Sequence, residues 1–389
     1  MNVLKQFAAV TLLGLRTIPN RLGASMVVVV GMACVVGVLI SILSMSVGYM
    51  QIVEKTGHDD RAIVLSQGSL YEYASFISRG NAVAIADAPG VKKTVDGKAI
   101  TSADMLAFVV LPKKRNGLDA YVSFRGVGPE GFALRPEVKL ISGKMFNAGA
   151  HELIVGKTAQ AEFEGLAVGS QVALPEGDWT VTGSFESNGD ARESELLADS
   201  VTLASAMRAN GYKSMTVQLD SPESFDSFKQ ALTTNPQLAV DVVREADYLA
   251  NEAKDLNDFL RILAYVVGGI MALGATFGAM NTMYSAVSAR AIEIATLRAI
   301  GFGSGAVVMS VLVEALLLAL AGAVIGVAVA WTLFNGYPHM FGSLVFTLTV
   351  SPALAGTGAA FGCTLGFIGG LFPAIRAARM RVAMALRPT

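Results

Sequence analysis

Three long stretches of the chain lack any charged side chain, and they enclose one long polar stretch. Residues 22–53, 262–289 and 315–375 contain no Asp, Glu, Lys or Arg. A helix that crosses bilayer hydrocarbon needs ~20 mostly apolar residues at ~1.5 Å rise each. The first two blocks each fit one span, and the third is long enough for two spans with a turn between them. The pattern predicts spans over 24–48, 259–285, 305–332 and 350–372. Pro373 marks the end of the last. The short connection 333–349 carries turn residues in Phe334, Asn335, Gly336, Tyr337, Pro338 and His339.

The polar stretch, 49–258, shows mixed local patterns. Ala62–Leu65, Tyr121–Phe124 and Trp179–Thr182 read as strands, the last preceded by a hairpin turn at Pro175, Glu176, Gly177 and Asp178. Ser221, Pro222 and Glu223 read as the start of a helix, after which Phe225, Phe228 and Leu232 recur at helical spacing. The charged segment 243–260 has a helical pattern and continues into the second span as a stalk. The expected fold is a membrane protein with four transmembrane α-helices, one plus three, and a large α+β domain between the first and second. Residues 1–23 precede the first span; Leu4, Phe7, Leu12 and Leu15 can share the face of a short amphipathic helix ended by Pro19.

Charge sets the orientation. Residues 49–258 hold 29 of the 31 acidic and 20 of the 30 basic residues, a net of −9, whereas the remainder nets +8. Lys5, Arg16 and Arg21 precede the first span, Arg290 and Arg298 lie between spans two and three, and Arg376, Arg379, Arg381 and Arg387 follow span four. By the positive-inside rule both termini, the segment 286–304 and the tail 373–389 are cytoplasmic, and 49–258 is extracytoplasmic. Arg261, at the outer end of span two, is the one discordant residue and can snorkel to the interface. The first apolar run exceeds a signal-peptide core of ~7–15 residues, so it reads as a retained span. The two cysteines, Cys34 and Cys363, both sit in apolar blocks, so the α+β domain has no disulfide.

Candidate chemistry is sparse. Gly126–Gly131 matches G-x-G-x-x-G, but Pro129 follows its second glycine and the domain is expected outside, away from nucleotide pools. Gly156-Lys157-Thr158 resembles the end of a phosphate-binding loop whose first glycine would fall on His151. His58, His151 and His339 are widely separated and suggest no metal site. Small residues repeat at helical spacing at Gly274 and Gly278, at Gly322 and Gly326, and at Gly362, Gly366 and Gly370, which permits close helix packing in lipid. Only two carboxylates lie outside the polar domain. Glu314, ~15 Å into span three by helical rise, is either a polar lock between two helix arrangements or a structural hydrogen-bond partner. Glu293 lies three residues after Arg290 and five before Arg298, in a short charged segment suited to transmit force from a soluble partner.

That segment, Ser285–Gly301, resembles the cytoplasmic signature of MacB/FtsX-type ABC transporter permeases, the mechanotransmission (type VII) class. Val313-Glu314-Ala315-Leu316 with Gly322 and Gly326 is similar to the third span of that family, and Phe372-Pro373 through Ala385-Leu386-Arg387 to its C-terminal pattern. In the polar domain, Gly143–Phe146, Glu152–Gly156, Val168-Gly169 and Val181–Phe185 match an ordered run of the same family. The departure is Ile292, where the family usually has Arg before the matched Glu.

The resemblance implies a non-enzymatic permease subunit of the bacterial inner membrane, with a MacB-like periplasmic domain. It implies no cofactor in this chain, ATP being bound by two separate ABC ATPase subunits. A second permease copy or paralogue, membrane lipids and a periplasmic adaptor complete the implied partners, with no nucleic acid. Arg290, Glu293 and Arg298 would form the ATPase-coupling segment. The cargo would be amphipathic: lipid, lipoprotein, peptide or drug. The alternative is an FtsX-like regulator that transmits ATPase motion to a periplasmic hydrolase or sensor and transports nothing.

Overall fold

The computed structural model describes residues 22–174, 177–336 and 338–380. The amphipathic segment expected at 1–21 and the end of the tail, with Arg381 and Arg387, lie outside the described residues, as does half of the turn expected at 175–178. The chain divides into two compact units.

Among its described residues, the first unit holds four helices long and apolar enough to cross a membrane. They are α1 (Leu22–Thr56), α6 (Glu245–Ala289), α8 (Ser304–Phe334) and α9 (Pro352–Arg379), with the short α7 (Ala291–Ala299) between α6 and α8. The charge-free blocks set where these helices run, and small residues set how closely they pack. A Cβ added at Gly326 would meet the Ala33 carbonyl oxygen at 2.5 Å, and one at Gly322 the Val29 carbonyl oxygen at 2.5 Å, so α8 packs backbone to backbone on α1. Gly362 and Gly370 of α9 make room instead for alanine side chains of α8, where an added Cβ would meet Ala323 Cβ at 2.8 Å and Ala315 Cβ at 2.6 Å. Gly274 and Gly278 do not follow the expectation: their Cβ positions face open space. Pro373 does not end its helix. It is buried inside α9, which continues to Arg379, because packing of Pro373, Ala374 and Ala377 holds the helix past one missing hydrogen bond.

The second unit, residues 49–256 with 338–346, is the α+β domain. Its strands β1 (Arg61–Ser66), β3 (Thr101–Pro112), β4 (Asp119–Val127), β5 (Lys139–Gly143), β6 (Glu152–Gly156), β7 (Gln171–Leu174), β8 (Gly177–Glu186), β9 (Leu196–Asp199), β11 (Ser214–Gln218) and β12 (Val240–Arg244) form one sheet. The order is β12-β1-β11-β3-β4-β9-β6-β8-β5, with β7 on β8. β2 (Ile77–Ser78) and β10 (Gly211–Tyr212) pair separately. Two cores result. One forms around Phe124, Trp179 and Leu196 under α3 (Lys157–Glu162) and α4 (Ser200–Ala206). The other forms around Val64, Val217 and Phe228 under α2 (Arg79–Ala86) and α5 (Phe225–Thr233). The strands read at 62–65, 121–124 and 179–182 lie inside β1, β4 and β8. The helix read from Ser221 begins instead at Phe225, after a 3₁₀ turn at Pro222–Ser224, while Phe225, Phe228 and Leu232 are its buried face.

One connection follows expectation and one differs. The stalk and second span are, as expected, one continuous helix of 45 residues, which starts directly after β12. The segment 333–349 is more than a turn: β13 (Pro338–Phe341) and β14 (Leu344–Thr347) form a hairpin that packs with the α+β unit, where Ser123 Oγ donates to Ser343 Oγ at 2.7 Å and the Val345 N–H donates to Ser194 Oγ at 3.1 Å.

Candidate coupling site

α6 stops at Ala289 without a Gly or Pro. Arg290 leaves the helical conformation (φ −103°, ψ 13°) and caps α7, and the Ile294 N–H donates to its carbonyl at 2.9 Å. Its side chain accounts for the break. Arg290 Nη1 donates to Glu314 Oε2 of α8 at 3.1 Å, and Nε to Glu293 Oε2 at 3.3 Å. One guanidinium therefore binds the buried carboxylate of α8 and the first turn of α7 together. Arg290 is thus not on the face of a helix running on from α6, as its spacing from Glu293 suggested; it is the joint between two helices.

The other end of α7 is tied differently. Arg298 Nη1 donates to the carbonyls of Ala378 and Met380, at 2.8 and 2.7 Å, satisfying the C-terminal end of α9. Gly301 takes φ +101°, and the bonds Gly301 N to Arg298 O and Phe302 N to Leu297 O close a Schellman motif. Between these ties Ile294 and Ala295 are buried among Met283 and Val287 of α6, Val311 of α8 and Ala377 of α9. The opposite face of α7 is open, with Ile292 66% and Glu293 60% exposed, and Thr296 and Ile300 beside them. Such a face, apolar around one carboxylate and backed by three helices, can receive a partner and pass a displacement to each of them.

The α+β domain holds a second charged constellation. Arg125 of β4 binds Glu72 at 2.9 Å, Glu195 at 3.1 Å and Asp104 at 3.4 Å. Arg135 pairs with Asp104, and Arg192 with Glu245, the first residue of α6, at 3.0 Å. Burial pushes the Glu72 carboxyl up, but Arg125, by charge and hydrogen bond, with Ser214 and Arg135, more than reverses this and holds it below the usual carboxylate range. Burial pulls the Arg125 guanidinium down, and its three carboxylates overcome that and raise it well above its ordinary value. A cleft of about 140 Å³ opens on this network, lined by Tyr71, Glu72, Phe108, Arg125, Glu195 and Tyr248. An aromatic strip leads from it: Tyr71 stacks on Tyr73 at 5.4 Å, Tyr73 meets Phe108 at 6.3 Å, and Val110 pairs with Tyr121 across β3 and β4. Tyr73, Phe108, Val110 and Tyr121 are all exposed.

Two family models match. The MacB-like periplasmic core domain covers residues 25–235, more than half of the chain, and the FtsX-like permease C-terminal domain covers 265–382. The chain belongs to the MacB/FtsX-like family of ABC transporter permeases. The permease is 26% identical over 290 residues to the macrolide export ATP-binding/permease protein MacB of Escherichia coli, covering 69% of this chain and 44% of that protein. It is 28% identical over 183 residues to the protein of the same name from Rhodopirellula baltica, covering 44% and 26% respectively. The periplasmic region of MacB from Actinobacillus actinomycetemcomitans aligns with 53% of the chain at 12% identity and a TM-score of 0.38. The permease spans less than half the length of these curated relatives.

Of the residues singled out in the sequence, Arg290, Glu293 and Glu314 converge on one ion-pair cluster, while Arg298 serves the end of α9. His58 bonds Glu137 at 2.8 Å and His151 stacks on Trp179 at 4.6 Å. The Gly126–Gly131 string is a strand end and turn, with the Gly128 N–H on Ser102 Oγ at 3.0 Å. The Arg125 network was missed, since its members are scattered from Glu72 to Glu245. Its one trace was Asp104, the only charge in a strand that is mostly apolar.

Proposed function

We propose that the permease works as a transmembrane subunit that converts ATP hydrolysis by separate cytoplasmic ABC ATPase subunits into movement of its periplasmic domain, acting on an amphipathic cargo. The observation that carries this reading is the open face of α7, with Ile292 and Glu293 outward and Arg290 and Arg298 holding α7 to α8 and α9. A cytoplasmic protein seated there would push on the ends of three helices at once. One of them, α6, is continuous from Ala289 back to Glu245 in the α+β domain, so its backbone is a direct mechanical link. The physical requirement is a two-state element that ATP binding biases. Ile292 replaces a charged contact with an apolar one, and the partner's matching surface should be apolar at that point.

The aromatic strip supports a cargo over a purely regulatory role. An exposed apolar patch next to a charged cleft suits a ligand with both apolar and charged parts. The relatives' names include macrolide export, and a macrolide is one cargo of this amphipathic kind. The complex would contain two permeases and two ATPases.

The test is purification of the permease in mild detergent with its partners counted. One ABC ATPase per permease is the expected result. Recovery without ATPase, under conditions that keep known complexes of this kind intact, would refute the reading. A stoichiometric periplasmic hydrolase without cargo binding would transfer the function to regulation.

A further inference from the structure

Among the described residues, four arginines stand at the α7 end of the helical unit, and they are not equivalent. Arg290 is bound to two carboxylates and Arg298 to two carbonyls. Arg376, near the end of α9, is exposed and makes no ion pair among the described residues; its guanidinium lies over the Tyr284 ring of α6 at 5.3 Å. Arg379, one turn fraction further, is exposed as well.

A groove of about 600 Å³ lies between α6 and α9, with Tyr284 in its lining, and Arg376 reaches it through its position over the Tyr284 ring. The helices touch at its floor, where a Cβ on Gly369 would lie 3.0 Å from Ala279 Cβ. Its walls are Leu273, Phe277 and Tyr284 on α6 and Ile368 and Phe372 on α9, with Arg376 one turn beyond Phe372 and over the Tyr284 ring. From Leu273 to Tyr284 is ~16 Å by helical rise, about half of a ~30 Å hydrocarbon core. The groove is thus apolar for the depth of one leaflet and ends in a tyrosine and an arginine without a carboxylate. Tyr belongs at the headgroup level, and Arg binds phosphate through two parallel hydrogen bonds.

We propose that this groove binds one phospholipid of net negative charge, with an acyl chain along the two stripes and the phosphate on Arg376. Charge selects the occupant: a zwitterionic headgroup brings its own cation to a site that already holds one, whereas an anionic headgroup neutralises it. The site is independent of which cargo the permease moves and of which ATPase it meets.

Native mass spectrometry of the full chain released from mixed bilayers of phosphatidylglycerol and phosphatidylcholine tests this. Wild type should retain one phosphatidylglycerol in preference to phosphatidylcholine by about fivefold, the ratio for ~1 kcal/mol per basic residue at an anionic surface. Arg376→Gln should lose the preference, Arg376→Lys should keep most of it, and Ile368→Trp, which fills the groove, should reduce retention of both lipids. Equal retention of the two lipids by wild type, or an unchanged preference in Arg376→Gln, would overturn the proposal. Disulfide formation between copies carrying Phe277→Cys and Phe372→Cys, with no retained lipid, would also overturn it by showing a second chain in the groove.

Discussion

Replacing Arg290 with alanine should destabilise the helical unit far more than replacing Glu293, the exposed carboxylate that it binds. The Arg290–Glu314 pair is 3.1 Å apart and largely buried. At an effective dielectric of ~20 the attraction at that distance is about 5 kcal/mol, much of it offset by the cost of removing both ions from water. Removing only the guanidinium keeps the burial cost of Glu314, and such changes cost ~3–5 kcal/mol. Glu293 is 60% exposed, so its bond to Arg290 contributes no more than ~1 kcal/mol. Arg290→Ala should therefore lose about 3 kcal/mol, Glu293→Ala less than ~1 kcal/mol, and Arg290→Met with Glu314→Gln should recover most of the loss. The assay is the rate at which Cys363, in α9, reacts with a thiol reagent as denaturing detergent is titrated in, run as a double-mutant cycle. An Arg290→Ala variant within ~0.5 kcal/mol of wild type, or additive effects in the cycle, would show that the pair does not hold α7 to α8.

Other predictions concern the rest of the fold. Gly326→Leu should block assembly, because even a Cβ there meets the Ala33 carbonyl, while Gly274→Ala, facing open space, should express and assemble normally; blue-native electrophoresis separates the two. Arg125→Gln leaves Glu72, Glu195 and Asp104 without their shared guanidinium and should cost the α+β domain ~3 kcal/mol or more, read from Trp179 fluorescence in a Trp331→Phe background. The same probe should show an acid limit. Glu72 is held below its unfolded value, so its contribution is complete above pH ~4.3 and is lost as pH falls through the lower folded value; without Arg125 the loss should begin at higher pH.

The membrane architecture was legible because it depends on a property that accumulates along the chain. Stretches such as 22–53 have no charge to place in water, and no tertiary detail changes that. The strands at 62–65 and 179–182 were legible for a similar reason, since β-branched and aromatic residues dominate them. Contacts between distant positions were not. Nothing local links Arg290 to Glu314, 24 residues away, and no Gly or Pro announces the break between α6 and α7. The break follows from where the side chain of Arg290 finds carboxylates, a tertiary fact. Gly274 and Gly278 have the same spacing as Gly322 and Gly326, yet only the second pair meets a helix backbone, because spacing states that close packing is possible and not which face is used. The hairpin at 338–347 was hidden for a related reason: its short strands are fixed by Ser123 and Ser194 from elsewhere in the chain. Of the candidate site, Arg290, Glu293, Arg298 and Glu314 stood out by type, and the way they pair did not.

The central claim is that the open face of α7 receives an ATPase and passes its motion through α6 to the periplasmic domain. Its most direct test is the permease reconstituted with its ATPase in lipid bilayers, carrying a spin label on the exposed Tyr121 of β4 in each copy, with the label-to-label distance measured with and without ATP in wild type and in Glu293→Lys. The account predicts an ATP-dependent distance change in wild type that is lost in Glu293→Lys, while the variant keeps the wild-type fold and distance in the resting state. An unchanged ATP response in Glu293→Lys would contradict it.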